Sequence, residues 1–241
     1  VNKATEQNDI TIVSIFVNPI QFGPNEDLES YPRDLQRDCM LLEKAGVDLV
    51  FNPSAEEMYS NDFTTYVNMT GVTEELCGKS RPVHFKGVCT VVSKLFNIVK
   101  PDNAYFGQKD AQQLAIIRRM VRDLNIDVNV VGCPIIREED GLAKSSRNTY
   151  LNAQERKAAV VLSKAVKLGR KMISDGETST EKVISAMKAL IGEESLAKID
   201  YVEAVDADSI EPVNTVNGRR VLFAEAVFIG KTRLIDNFIA E

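Results

Sequence analysis

Residues 10–17 read Ile-Thr-Ile-Val-Ser-Ile-Phe-Val, a run that is β-branched and almost continuously apolar. Such a run is typical of a parallel strand covered on both faces rather than of an alternating edge strand. A helical pattern follows at 34–45 and stops at Gly46, a residue type that favours helix termini. A second apolar run at 47–51 ends near Pro53. Strand, helix and strand with short connections predict the βαβ unit of an open α/β sheet.

The same order of elements recurs in the middle of the chain. Apolar residues at helical spacing predict a helix over 88–99 that ends before Pro101. A short strand is predicted at 104–106, a helix from Asp110, and another strand at 128–131. The first half therefore predicts parallel strands separated by helices.

The composition changes after about residue 135, where a polar stretch at 137–148 is interpreted as a loop between two domains. Helices are predicted at 153–174 and 180–191, and strands at 199–205 and 220–229. Helices followed by strands favour a small α+β unit. We therefore expect an α/β domain at 1–135 and a smaller α+β domain at 136–241.

The bulk composition excludes several classes of protein. With 241 residues, 44% hydrophobic and 27% charged, the chain is typical of a globular protein, and no apolar run is long enough to span a bilayer. A net charge of −6 argues against nucleic acid as a partner. Four separated cysteines and one histidine disfavour a zinc site or disulfide framework, and indicate reduced thiols in a cytoplasm.

The segment 106–113, Phe-Gly-Gln-Lys-Asp-Ala-Gln-Gln, is the sharpest local motif. Gly107 lets a ligand approach the backbone beside a helix N-terminus, Lys109 offers a charge for phosphate, and Asp110 an oxygen for magnesium. An ordinary strand-to-helix turn with Asp110 as the helix cap explains the spacing equally well.

Three further stretches carry candidate binding groups. Hydroxyls and cations at 144–147 (Lys-Ser-Ser-Arg) form a plausible phosphate clamp, although a solvated linker is the simpler interpretation of that stretch alone. His84 could orient a ligand or protonate a leaving group, or it could cap the helix that it precedes. Asn18 and Gln21 follow the first strand and could read a hydroxy acid's oxygens, or belong to a turn around Pro19.

Taken together, and with their order and spacing, these stretches resemble the pantothenate synthetase family over essentially the whole chain. The matching segments are Ser14–Phe22, Tyr31–Arg33, Arg81–Val88, Phe106–Gln113, Asp140–Asn148 and Arg233–Asn237. The resemblance implies an ATP-dependent ligase that adenylates pantoate, releases pyrophosphate and lets β-alanine attack the adenylate. It also implies a Rossmann-like doubly wound parallel sheet, a smaller C-terminal lid domain, a magnesium requirement and a homodimer.

The resemblance also implies roles for individual residues. Gln21, Gln113 and Asn18 would hold pantoate. The catalytic and ATP-binding residues would be His84, Gly107, Lys109, Asp110, Ile136, Lys144, Ser145, Ser146 and Arg147. Asp110 would help to place the metal, and Arg81 matches a position lining the same cleft.

Family members begin with a strand and a His-x-Gly-His loop that have no counterpart here, and residues 1–8 look like the tail of the helix that follows that loop. That first strand lies in the middle of a doubly wound sheet. We therefore expect exposed apolar neighbours and impaired activity from this chain alone. Two alternatives remain, another nucleotidyltransferase of the same fold and a non-catalytic nucleotide-binding or dimerisation fragment.

Overall fold

The first half of the chain contains parallel strands separated by helices. The computed structural model describes residues 1–24 and 26–241. The strands are β1 (Ile12–Ser14), β2 (Leu49–Phe51), β3 (Asn103–Gly107) and β4 (Asn129–Cys133). The helices are α1 (Asn2–Gln7), α2 (Leu35–Lys44), α3 (Ala55–Met58), α4 (Cys77–Ser80), α5 (His84–Val99) and α6 (Ala111–Asp123). Short 3-10 turns lie at Pro19–Gln21 and Gln108–Asp110. The parallel pairs β1–β2 and β3–β4 confirm the predicted βαβ units.

The helix ends follow the local chemistry that the sequence indicated. The Asp34 side chain accepts a hydrogen bond from the Arg37 amide and begins α2. Gly46, with φ of +78°, follows that helix in the left-handed conformation that glycine adopts most easily. These two residues fix the direction in which the chain enters β2.

The prediction that residues 10–17 form one strand covered on both faces is wrong in its extent. Only Ile12–Ser14 are paired, and Ile10 and Ile12 are 69% and 38% exposed. Within the described residues the parallel strands form two separate pairs rather than one continuous sheet. One edge of β1 therefore carries no further strand, and its apolar side chains lack the cover that a central strand has.

The second half of the chain forms a three-stranded antiparallel sheet with helices on one face. Its helices are α7 (Ala153–Ala158), α8 (Val160–Ser174) and α9 (Thr180–Gly192), after a 3-10 turn at Ser146–Tyr150. Its strands are β5 (Ala197–Asp206), β6 (Val221–Ile229) and β7 (Thr232–Ala240), in the order β5-β6-β7. The single helix predicted at 153–174 is interrupted at one residue, Ala159, whose backbone angles (φ −57°, ψ −23°) stay in the right-handed helical region.

The antiparallel sheet is buried on both faces, and this positions the site. On one face Phe223 packs into a core with α8 and α9, and on the other Leu222 joins the core built by α5 and α6. The two halves therefore share a packed boundary along β6. A cleft at the edge of that boundary therefore has a packed hydrophobic core on each side, and these cores fix the position of its walls.

Candidate functional site

A cavity of about 930 Å³ lies where the two halves of the chain meet. Seven of the residues singled out from the sequence line it, and they come from three separate segments. They are Arg81, His84, Lys109, Asp110, Gln113, Ser145 and Arg147. The other predicted residues, Asn18, Gln21, Gly107, Ile136, Lys144 and Ser146, do not line this cavity.

Lys109 and Asp110 lie on the turn between β3 and α6. Asp110 occupies the position before the first residue of α6, but its side chain makes no capping hydrogen bond. The interpretation of Asp110 as a simple helix cap is therefore not realised, and its exposed carboxylate faces the cavity. The Asn237 amide of β7 donates hydrogen bonds to the carbonyls of Gln108 and Lys109 at 3.0 and 2.8 Å. This contact fixes the turn against the second half of the chain.

Adjacent glutamines of α6 differ in the use of their amides. Gln112 is buried; its oxygen accepts from the Cys77 amide, and its nitrogen donates to the carbonyls of Val72 and Glu75. Gln113 is half-buried and lines the cavity without a side-chain hydrogen bond to any described residue. Gln112 therefore organises the wall, whereas Gln113 has an amide available for a ligand.

Asn18 is an interior residue whose amide is used by the protein itself. Its nitrogen donates to the Gln21 side-chain oxygen and to the Gly87 carbonyl, both at 3.1 Å, and its oxygen accepts from the Tyr59 hydroxyl at 2.7 Å. These contacts match the alternative in which Asn18 belongs to the turn around Pro19. Through them Asn18 orients Gln21, whose amide nitrogen has no partner among the described residues.

His84 is the first residue of α5 and is held as a neutral imidazole. Burial, followed by the charge of Arg81, lowers the pKa of His84 to about 4. Its Nδ1 lies 3.1 Å from the Gln21 carbonyl oxygen, which can only accept, so Nδ1 carries the proton. A neutral ring favours the ligand-orienting role of His84, and its role in protonating a leaving group stays a prediction. Its Nε2 remains as a hydrogen-bond acceptor at the cavity wall.

The predicted phosphate clamp at 144–147 divides between cavity and surface. Ser145 and Arg147 line the cavity, whereas Lys144 is exposed and lies 3.8 Å from Glu138. Ser146 donates a hydrogen bond to the Tyr31 hydroxyl at 3.0 Å. Only two of the four side chains therefore face the cavity, although the segment as a whole borders it.

Sequence reasoning missed the acidic residues that hold the arginines of the site. Arg147 donates to both carboxylate oxygens of Asp27, at 2.9 and 2.7 Å. Arg81 makes the corresponding fork with Glu26. In both acids burial would raise the pKa, but the hydrogen bonds and charge of the arginine outweigh burial and hold the pKa below its ordinary value. The adjacent acids at 26–27 are visible in the sequence, but no local pattern predicts which arginines they pair with.

The second half contributes a polar wall that was also missed. Arg233 donates to Asp200 at 3.0 and 2.8 Å and lies over the Tyr201 ring at 5.7 Å. Tyr201 in turn lies 3.2 Å from the Cys77 sulfur of α4. This group joins the two halves across the cavity. The only sequence signal for it was the resemblance of the ending 233–237.

The described residues suit a magnesium ion that arrives with a ligand better than a resident metal centre. No group of three or more histidine, cysteine, aspartate or glutamate side chains with metal-binding geometry occurs in residues 1–24 and 26–241. Asp110 offers one exposed carboxylate at the cavity. Magnesium commonly binds through one or two carboxylates together with phosphate oxygens and water, so a single acid fits that mode.

Among the helices that the structure describes, none combines the length and the apolar character required to cross a bilayer.

The parallel strand β3 ends in a turn that carries Lys109 and the uncapped carboxylate of Asp110, and the turn with Ser145 and Arg147 lines the same cavity, an arrangement typical of a nucleotide-binding α/β protein. The family model described as Pantoate-beta-alanine ligase matches residues 1–239, and the chain belongs to that family. A pantothenate synthetase of Enterococcus faecalis is 60% identical over the whole chain and 85% of its own length. One from Caldicellulosiruptor saccharolyticus is 61% identical with the same coverage.

Solved structures agree with this assignment. A pantothenate synthetase from Thermus thermophilus is 46% identical, with a TM-score of 0.94 over 98% of this chain and 86% of that one. A pantoate-beta-alanine ligase from Francisella tularensis, complexed with Beta-gamma ATP and Beta-alanine, is 36% identical. Its TM-score is 0.77 over 98% of this chain and 82% of that one. The likeness confirms the predicted α/β fold with a smaller C-terminal domain.

Proposed function

We propose that the cavity joins pantoate to β-alanine at the expense of ATP. The pantoate carboxylate attacks the α-phosphorus, pyrophosphate leaves, and the amine of β-alanine then displaces AMP from the acyl adenylate. The observation that carries this proposal is the convergence of Lys109, Gln113, Ser145 and Arg147 on one cavity from separate segments. Family membership supplies the substrates.

Lys109, Ser145 and Arg147 are the proposed polyphosphate ligands. Attack on the α-phosphorus increases negative charge on the phosphates, so cations and hydroxyl donors fixed beforehand stabilise the transition state. Ser146 supports this group through its hydrogen bond to Tyr31. Lys144, Gly107 and Ile136 lie outside the cavity lining and are proposed to border the nucleotide from its outer side.

Gln113, which lines the cavity, and Gln21, which lies beside His84 outside the cavity lining, are the proposed pantoate ligands, and Asn18 acts by orienting Gln21. Each glutamine has an amide nitrogen without a partner among the described residues, which suits the carboxylate and hydroxyl oxygens of pantoate. The free Nε2 of His84 is proposed to accept a hydrogen bond from a substrate hydroxyl or amine. A neutral acceptor at that place fits its lowered pKa.

Asp110 is the proposed protein ligand of magnesium. The ion, when bound with ATP, would neutralise phosphate charge during pyrophosphate departure. Asp110 itself would orient that ion through one oxygen, since its carboxylate is not used as a helix cap.

The predicted division at residue 135 is retained as part of the proposal, with 1–135 as the nucleotide- and pantoate-binding domain and 136–241 as the lid. We further propose a homodimer. Residues 64–66 have no backbone amide hydrogen bond to the rest of the described chain, and the β-branched and aromatic sequence around them suits pairing with a second copy. A cytoplasmic location fits four free cysteines.

Pantoate-dependent exchange of labelled pyrophosphate into ATP tests the adenylation step. Lys109→Ala should lower the exchange rate at least tenfold with little change in melting temperature, because the ammonium group stabilises charge and not the core. Lys164→Ala, an exposed lysine of α8, is the matched control. Exchange that proceeds without pantoate, or that Lys109→Ala leaves intact, would contradict the assignment. β-Alanine-dependent AMP release then separates the ligase from other nucleotidyltransferases.

A further inference from the structure

The two arginines of the cavity are held in the same way by two adjacent acids. Arg147 presents Nε and Nη2 to Asp27, and Arg81 presents Nε and Nη2 to Glu26. In both guanidinium groups the Nη1 nitrogen has no partner among the described residues. A guanidinium carries five N–H donors in a rigid plane, so a side-on pair leaves two donors on Nη1 free.

The Asp27–Arg147 pair is well enough shielded to fix its geometry. The two side chains are 25% and 28% exposed, so water competes less for them than at an open surface. The Tyr150 hydroxyl shares its proton between the Ser30 carbonyl at 3.1 Å and the Asp27 carboxylate at 3.2 Å. Arg147 packs over the Tyr31 ring at 5.4 Å. The carboxylate and the Tyr31 ring therefore both restrict the guanidinium, and Tyr150 in turn contacts the carboxylate.

We propose that Asp27 is a positioning residue that aims the free Nη1 edge of Arg147 at the polyphosphate. The inference rests on the proposed function and assigns Asp27 a part in the same site. An unrestrained arginine loses rotamer freedom when it binds phosphate, and this loss weakens binding. The pair with Asp27 imposes that order before the ligand arrives. Glu26 stands in the same relation to Arg81.

The same contact admits an opposite role, which makes the inference testable. If the carboxylate occupied the place of a phosphate, Asp27 would compete with the ligand, and its removal would tighten binding. If Asp27 positions the arginine, its removal frees the guanidinium and weakens binding. The loss of a repulsive charge offsets only part of that weakening. The sign of the change in affinity therefore distinguishes the two roles.

The test is the dissociation constant of inorganic tripolyphosphate, measured by calorimetry on the full chain. Asp27→Asn should weaken binding about fivefold, the factor that corresponds to about 1 kcal/mol of lost order. Glu29→Gln removes the same charge from an exposed position of the same loop and should leave binding unchanged or slightly tighter. On an Arg147→Ala background, Asp27→Asn should not weaken binding further, since no guanidinium remains to be aimed, and should leave the affinity unchanged or slightly tighter.

Three results would overturn the inference. Tighter binding by Asp27→Asn means competition, and equal weakening with and without Arg147 means a structural role. Unchanged binding in Asp27→Asn means that the pair is irrelevant to the ligand. A wild-type chain that binds no tripolyphosphate would instead contradict the proposed polyphosphate site itself. The pyrophosphate exchange rate gives a second readout, in which Asp27→Asn should lower kcat about tenfold at unchanged melting temperature.

Discussion

Replacing Gly87 by alanine should separate pantoate recognition from ATP recognition. Gly87 lies in the first two turns of α5, and a Cβ there would meet the Gln21 Cα at 2.5 Å and the Ile20 carbonyl oxygen at 2.6 Å. Ordinary carbon contacts lie near about 3.5–4.0 Å, so the helix and the turn must separate by about an ångström. Both contacts are with backbone atoms, so no side-chain rotation relieves them. Gln21 and the carbonyl that holds His84 must therefore move.

Two quantities follow from that displacement. Overpacking costs about 1–3 kcal/mol of unfolding free energy, slightly offset by the better helix propensity of alanine. A shift of about an ångström in a substrate-holding group can lower kcat/KM on the order of a hundredfold. We expect the loss to appear as a raised KM for pantoate with a KM for ATP changed less than threefold, because Lys109 and Arg147 lie on other segments.

The assay is pyrophosphate exchange at varied pantoate and at varied ATP, together with urea unfolding. Gly192→Ala is the matched control, since Gly192 also lies in a helix and an added Cβ meets nothing within 4 Å. That variant should keep both KM values. A Gly87→Ala chain that retains the wild-type KM for pantoate would refute the packing argument, and equal increases in both KM values would show general damage instead.

Three further predictions concern buried ionisable groups. Burial and then Asp236 raise the pKa of Glu225 well above its ordinary value, so the folded chain keeps a proton that the unfolded chain releases. Above about pH 4.5 the free energy of unfolding of the wild type should fall by up to about 1.4 kcal/mol per pH unit relative to that of Glu225→Gln, measured by urea unfolding. Parallel plots of unfolding free energy against pH for the two chains would contradict this. The pKa of His84 is lower in the folded chain than in the unfolded chain, so the unfolded chain takes up the proton first as the pH drops. The free energy of unfolding should therefore fall between about pH 6.5 and pH 4, and His84→Gln should remove that loss. Arg137→Met leaves the buried Asp236 carboxylate unpaired and should cost about 3–5 kcal/mol by the same method, with partial recovery in the double variant with Asp236→Asn.

Much of the fold was predictable because its signals are local. The helix that begins after Asp34 and ends before Gly46 carries its own start and stop residues, and the structure uses both. The strand β7 was not recognised, because Asp236 and Asn237 interrupt its apolar pattern. Those polar residues are buried by partners elsewhere, Arg137 for the aspartate and the carbonyls of residues 108–109 for the asparagine. The alternation of apolar and polar residues does not predict a strand where a buried polar side chain is paired with a residue distant in sequence.

The position of Lys109 shows where prediction from the sequence stops. The local motif specified a lysine and an acid after a strand, and the structure places both at the cavity. The turn that carries them is fixed by Asn237, a residue 128 positions later, through two hydrogen bonds to its carbonyls. Arg147 is likewise fixed by Asp27, 120 positions earlier.

The two cationic candidates, Lys109 and Arg147, are therefore each held by a residue from the other half of the chain. The local motif predicts which groups bind, whereas contacts between the halves decide where those groups point. A substitution at Asn237 or Asp27 should consequently impair the site without altering any of the proposed substrate ligands. The antiparallel sheet is then part of the binding apparatus, because its packing against α5 and α6 determines whether the cations of the two halves face one ligand.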